Sequence, residues 1–150
     1  MTRTCLQALF AISVFTVGCS ADYSGTYKGD ATESGTLKVA VATAPEVAKN
    51  ESPPRNVPNA TVTVTKDSDS YGVKFGDCNL KGGTSSPGLI LATGTCDVKI
   101  ANWTGPLPLS ATLTFGESGA LSMDVACTTR EEKRNDVTIL SYGWTFKGKK

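Results

Sequence analysis

Apolar and polar residues alternate with a period of two along most of the chain, and this pattern predicts β-strands. The alternation is clearest from Leu107 to Phe115, where every second residue is apolar. No segment of useful length repeats its apolar residues with the helical period. The apolar positions of the alternating segments are Leu37, Val39 and Val41; Ala60, Val62 and Val64; Tyr71, Val73 and Phe75; Ala92, Cys96, Val98 and Ile100; Leu107, Leu109, Ala111, Leu113 and Phe115; Leu121, Met123, Val125 and Cys127; and Leu140, Tyr142, Trp144 and Phe146.

Short turns between these segments favour an antiparallel meander of about eight strands, each with one apolar face. Such a sheet buries its apolar faces either by closing into a small barrel or by packing as a two-layer sandwich. The alternation fits both architectures equally well. The predicted fold class is therefore all-β, a small barrel or sandwich, in a single domain over residues 25–150.

Turn-forming residues mark the connections between the strands. Asp67–Ser70 predicts a hairpin turn, and Lys81–Gly88 predicts a loop rich in glycine and serine. Residues 44–58 contain four prolines and little apolar content. They predict a loop far longer than the usual length of about 4–6 residues. The apolar phase shifts by one residue between Ile139 and Leu140, which predicts a β-bulge there.

Residues 1–18 have the composition of a secretory signal peptide. A single cation, Arg3, precedes a mostly apolar run from Cys5 to Val17, and small residues follow. This run is too short to span a bilayer, which takes about 20 apolar residues. The sequence therefore predicts export, with removal of the segment.

The end of the segment, Val17-Gly18-Cys19, resembles the lipobox of bacterial lipoproteins, in which small or apolar residues precede an invariant cysteine. Thr16 departs from the pattern, since an aliphatic residue is usual there. The resemblance implies lipid attachment to Cys19, with cleavage before it and acylation of the new amine. Residues 19–24 are then a short tether, and Ser20, where an aspartate would signal retention, implies sorting to the outer membrane. An ordinary signal cut nearby is the alternative.

Removal of Cys5 and lipidation of Cys19 leave three of the five cysteines, in an oxidising compartment. Cys78 and Cys96 are equally distant from Pro87, so a hairpin centred there sets them opposite each other. The sequence therefore predicts a disulfide between Cys78 and Cys96, which would contribute on the order of 3 kcal/mol. Cys127 shares its apolar face with Val125, which predicts a buried structural thiol; a bond to one of the other two cysteines is the alternative.

The charge and composition exclude several function classes. The chain carries 15 basic and 14 acidic residues, and loss of Arg3 leaves 14 of each sign. A neutral chain has no long-range attraction for nucleic acid. The chain contains no histidine, the commonest general base and metal ligand. No catalytic constellation, metal site or cofactor motif is predicted.

Two further segments point to fold and binding. Trp103 is predicted on a loop, Asn102–Pro106, where its ring would either contact a partner or fold under the end of the barrel. The segment Tyr23–Gly29 is similar to the glycine-x-aromatic start of the first lipocalin strand, with Tyr27 in place of tryptophan. That resemblance covers only these seven residues and implies a barrel, without a ligand.

The predicted function is that of a non-enzymatic lipoprotein of the bacterial envelope, held in the membrane through its N-terminal lipid. Its role is either structural or the binding of another envelope protein. The alternative is a lipocalin-like carrier of a small apolar ligand. A carrier requires an apolar cavity of about 300 Å³ or more. A protein-binding role requires an exposed apolar patch, near Trp103 or the proline-rich loop.

The lipid anchor makes the first testable prediction. Replacing Cys19 with serine removes the acylated sulfur, so we expect the protein to leave the membrane fraction and to lose the acyl mass. Cys5→Ser is the matched control, because Cys5 lies in the removed segment and leaves the mature protein unchanged. Fractionation and mass spectrometry of protein from a bacterial host measure both effects. Unchanged membrane association of Cys19→Ser would contradict the lipobox assignment.

Overall fold

The structure, a computed structural model, describes residues 21–41, 48–133 and 136–150. It contains eight strands and one short 3-10 turn, Glu117–Gly119. No helix in the described ranges is long and apolar enough to cross a membrane. The strands are β1 Gly25–Val41, β2 Ala48–Asp67, β3 Ser70–Phe75, β4 Cys78–Ser86, β5 Leu89–Ile100, β6 Trp103–Phe115, β7 Ala120–Lys133 and β8 Asp136–Lys149.

Each strand pairs antiparallel with the next one, and β8 pairs with β1 to close a barrel. The closing ladder is continuous from Lys28 opposite Lys149 to Val41 opposite Asp136. The all-β meander predicted from the alternation is confirmed, and its architecture is the closed barrel. In an open sheet, the outer backbone groups of β1 and β8 would be unpaired edges. Closure pairs these groups with each other.

The apolar residue of each alternating pair points into the barrel and forms its core. Val62, Val73, Leu113 and Val125, from four different strands, are each at most 2% exposed. An open central cavity of the lipocalin kind would expose these four residues. Their near-complete burial shows that this part of the interior is filled by side chains.

The predicted proline-rich loop at 44–58 is wrong from Ala48 onwards, because β2 begins there. Residues 42–47 lie outside the described ranges. The prolines are accommodated where the β1–β2 register shifts, at β-bulges. Pro53 and Pro54 fall between the pairs Gly35–Ser52 and Glu33–Arg55, and Pro58 falls beside the pair Ala31–Val57. A bulge leaves a residue out of the ladder, so a missing N–H costs no hydrogen bond there.

Two smaller predictions are also corrected. Strand β4 runs through Ser86, so most of the loop predicted at Lys81–Gly88 is strand and only Pro87 and Gly88 form the turn. Strand β8 pairs with both neighbours without a register shift, so there is no bulge near Leu140. Val137 and Ile139 instead lie half-buried on the other face of the strand.

The segment predicted as a tether packs against the barrel as far as it is described. The rings of Tyr23 and Phe115 stack with 4.5 Å between centroids. The Gly88 amide donates a hydrogen bond to the Tyr23 hydroxyl at 2.6 Å, and the Tyr27 hydroxyl donates to the Tyr23 carbonyl at 2.8 Å. Cys19 and Ser20 lie outside the described ranges. Ala21–Ser24 therefore lie against the end of the barrel where β1 starts.

Glycine in β4 allows close contact between backbones, and this makes a prediction about stability. A Cβ on Gly82 would lie 1.9 Å from the Leu91 carbonyl oxygen of β5, whereas a Cβ on Gly83 would meet nothing within 4 Å. We expect Gly82→Ala to lower the free energy of unfolding by about 1–3 kcal/mol, because β4 must move away from β5. Gly83→Ala should change it by less than about 0.5 kcal/mol. Urea unfolding measures both, and equal stabilities would contradict the β4–β5 register.

Candidate functional site

The barrel wall has a gap between β2 and β5. Strand β3 is only six residues long, and it pairs with β2 only from Val62 to Asp67. On the other side, the β4–β5 pairing runs to Thr93, and Cys78–Leu80 of β4 continue beside residues 94–96 of β5. Within the described ranges, residues 48–61 of β2 and 97–100 of β5 therefore have no strand partner on the sides that face each other. The short β3–β4 hairpin leaves this part of the wall open.

The hydrogen-bond alternation of β5 shows which of its backbone groups face the gap. The Phe115 amide donates to the Gly88 carbonyl at 2.8 Å, and the β5–β6 register continues from there without a shift. In an antiparallel ladder, every second residue bonds to the same neighbour. The even-numbered residues of β5 thus bond to β6. Asp97 and Lys99 direct their N–H and C=O groups towards the gap.

The gap opens into a cavity of about 550 Å³. Its inner wall contains Phe75 and Trp144, whose ring centroids are 4.7 Å apart, together with Val98. Lys74, Asp77, Asp97 and Lys99 lie exposed around its mouth. We call this cavity, with its mouth between β2 and β5, the side cleft. Its volume lies within the range of small-molecule sites, about 300–1,000 Å³.

A charged network sits inside the side cleft. Glu33 occupies an inward position of β1, and Arg55 lies opposite it on β2. Arg55 donates from an Nη atom to Glu33 Oε2 at 2.5 Å, and the Tyr142 hydroxyl donates to Glu33 Oε1 at 3.0 Å. Hydrogen bonding to Glu33 and its negative charge raise the pKa of Arg55. Burial, followed by the Glu33 charge, raises the pKa of Tyr142 far above its usual range. Tyr142 is therefore a fixed donor at neutral pH.

A second hollow of about 470 Å³ adjoins the side cleft and shares Glu33, Arg55 and Lys99 with it. Its far side is closed where the Ala101 amide donates to Ser52 Oγ at 2.7 Å. This contact joins the β5–β6 turn to β2 and so closes the gap at the end where β5 finishes. The opening is therefore a window in the wall, with Arg55 and Lys99 between its two hollows.

The two predicted disulfide partners lie next to each other at the side cleft. The β4–β5 register pairs Lys81 with Thr93, and extending it by three residues sets Cys78 opposite Cys96, as the symmetry about Pro87 predicts. The two thiols are near enough for Cys96 to act on the pKa of Cys78, and the structure holds both as free thiols. Burial, followed by Cys96, raises the pKa of Cys78 far above its usual range. The disulfide stays a prediction.

The remaining sequence candidates lie away from the side cleft. Cys127 is a buried free thiol on β7, and burial raises its pKa. The loop predicted at Asn102–Pro106 is wrong from Trp103 onwards, because Trp103 is the first residue of β6 and is partly buried against the core. This is the placement expected of a ring folded under the barrel end, and its partner contact stays a prediction. No group of three metal-binding side chains occurs in the described part of the chain.

Sequence reasoning missed Glu33, Arg55 and Tyr142 as a site. One signal was present, because Glu33 interrupts the inward residues Ala31 and Leu37 of β1 with a charge. A carboxylate on an apolar face calls for a partner. Finding Arg55 required the β1–β2 register, which two shifts alter in ways that the sequence does not show.

Comparisons with family models, curated proteins and solved structures give no match.

The Tyr142 hydrogen bond makes a testable prediction. Tyr142→Phe removes one of the two donors on the half-buried Glu33 carboxylate, so the free energy of unfolding should fall by about 1–2 kcal/mol. Tyr71→Phe is the matched control, because the Tyr71 hydroxyl makes only a long contact, 3.5 Å, with the Ala21 carbonyl oxygen. That variant should lose less than about 0.5 kcal/mol. Chemical denaturation measures both, and equal losses would contradict the network.

Proposed function

We propose that this chain is a non-enzymatic lipoprotein of the bacterial envelope that binds a small amphipathic molecule in the side cleft. An acylated Cys19 anchors it in the membrane, and the outer membrane is the location that Ser20 favours. The observation that carries the binding role is the side cleft itself. Its volume of about 550 Å³, an aromatic inner wall and one internal charged network together make a site of ligand size.

The surface supports a small ligand better than a broad protein interface. Leu91 is the sole large hydrophobic residue that is exposed in the described part of the chain, at 47%. Protein-binding surfaces usually present a contiguous apolar patch. The side cleft instead offers a concave site that is bordered by Phe75, Val98 and Trp144.

The packing also favours the side cleft over the centre of the barrel. Val62, Val73, Leu113 and Val125 fill the place where a lipocalin-like ligand would sit. A ligand that enters through the gap needs no rearrangement of this core. The ligand site that we propose is therefore the side cleft and not the centre of the barrel.

The chemistry of the side cleft supports binding without catalysis. The raised pKa values of Cys78 and Tyr142 keep both groups protonated at neutral pH, which makes Cys78 a poor nucleophile and Tyr142 a poor base. Both oxygens of Glu33 already accept hydrogen bonds. The network thus holds Glu33, Arg55 and Tyr142 in fixed positions.

Filling the side cleft tests the proposed function. Val57 lines it, so Val57→Trp should occupy the space and weaken binding of the amphipathic dye anilinonaphthalene sulfonate at least about ten-fold. Thr112→Trp is the matched control, because Thr112 is exposed on the outer face of β6. Calorimetric titration of the folded proteins measures the affinity. Absent binding to the unmodified protein, or equal binding to both variants, would contradict the proposal.

A further inference from the structure

Arg55 is the charged group best placed to contact a ligand in the side cleft. It lies between the two hollows, and its side chain is 73% exposed. One Nη atom is held by Glu33 Oε2, which orients the planar guanidinium. Guanidinium groups carry five N–H donors in a rigid fork. The exposed donors are therefore presented in a fixed direction.

The other charged residues of the side cleft favour neither an anionic nor a cationic ligand. Lys74 and Lys99 at its mouth are matched by Asp77 and Asp97. All four side chains are exposed, so water and salt screen them. Inside, both carboxylate oxygens of Glu33 are occupied by Arg55 and Tyr142. Each oxygen of Glu33 thus already has one donor, whereas the remaining N–H groups of Arg55 are open to a ligand.

An apolar surface lies within the same cavity. Phe75, Val98 and Trp144 border the cavity as core residues that are each at most 6% exposed, and the half-buried Val57 faces it from β2. The apolar part of a ligand gains about 25 cal/mol for each Å² that it buries there. A site with hydrogen-bond donors at one side and apolar side chains at the other is complementary to an amphipathic ligand with an anionic head.

We propose that the side cleft binds an amphipathic organic anion, a carboxylate or another oxyanion on an apolar body. The head accepts hydrogen bonds from the exposed guanidinium N–H groups of Arg55, and the body packs on Phe75, Val98 and Trp144. Arg is suited to this role because its fork matches the two oxygens of a carboxylate. This inference rests on the proposed function and adds the charge of the ligand and the residue that recognises it.

Three probes share an eight-carbon chain and differ in the charge of the head group: octanoate, 1-octanol and octyltrimethylammonium. Differences in their affinities therefore report the effect of that charge. The chain has two tryptophans, so Trp103→Phe leaves Trp144 as the reporter of the side cleft. We expect each probe that binds to change Trp144 emission. Octanoate should bind at least about ten-fold more tightly than octanol, as one charge-assisted hydrogen bond implies.

Arg55 variants in the Trp103→Phe protein assign the head group site. Arg55→Gln should reduce the octanoate affinity to that of octanol. Arg130→Gln is the matched control, because Arg130 is also exposed and also paired with a carboxylate, that of Glu132. It should leave all three affinities unchanged. Arg55→Lys keeps the positive charge but lacks the planar guanidinium, so its octanoate affinity should lie between those of the unmodified side chain and Arg55→Gln. Thermal unfolding verifies that each variant is folded.

The outcomes separate the inference from the proposed function. If octyltrimethylammonium binds most tightly, the ligand displaces Arg55 from Glu33, and the inferred charge is wrong while the binding site stands. If octanoate binds equally to Arg55→Gln, Arg55 does not recognise the head group and the inference fails. If no probe changes Trp144 emission, the proposed function itself fails.

Discussion

The pairing of β8 with β1 is the interaction on which the rest of the structure depends. It gives both terminal strands a partner and encloses the apolar faces of all eight strands in one core. Closure does not require strands of equal length, however. Because β3 and β4 form a short hairpin, the long strands β2 and β5 continue beyond it without a strand between them. The ring of eight strands is closed, but its wall has a gap between β2 and β5.

This arrangement explains why a charged pair lies on an inward face. Where the wall is complete, the inward residues are apolar and almost fully buried. At the gap, water reaches the interior, so Glu33 at 24% side-chain exposure is tolerated with Arg55 and Tyr142 as partners. Glu33 is eight residues from Gly25, where β1 starts, or about 26 Å along an extended strand.

The alternation of residues predicted the core well, because burial in a barrel repeats with the same period of two as the strand itself. The symmetry about Pro87 also predicted the neighbours Cys78 and Cys96, since hairpin register follows from the turn position. Prolines misled the prediction at 48–58, because sequence shows that an N–H is missing but not that a bulge makes it unnecessary. The site was out of reach for a related reason: the Glu33–Arg55 pair depends on register shifts and on the lengths of distant strands.

Residue-resolved amide hydrogen exchange along β5 tests the open wall most directly. Val98 and Ile100 donate to β6 in the ladder, whereas Asp97 and Lys99 direct their amides into the gap. The structure predicts slow exchange at Val98 and Ile100 and fast exchange at Asp97 and Lys99, alternating within one strand. Equally slow exchange at all four amides would show that the wall is complete there and would contradict the side cleft.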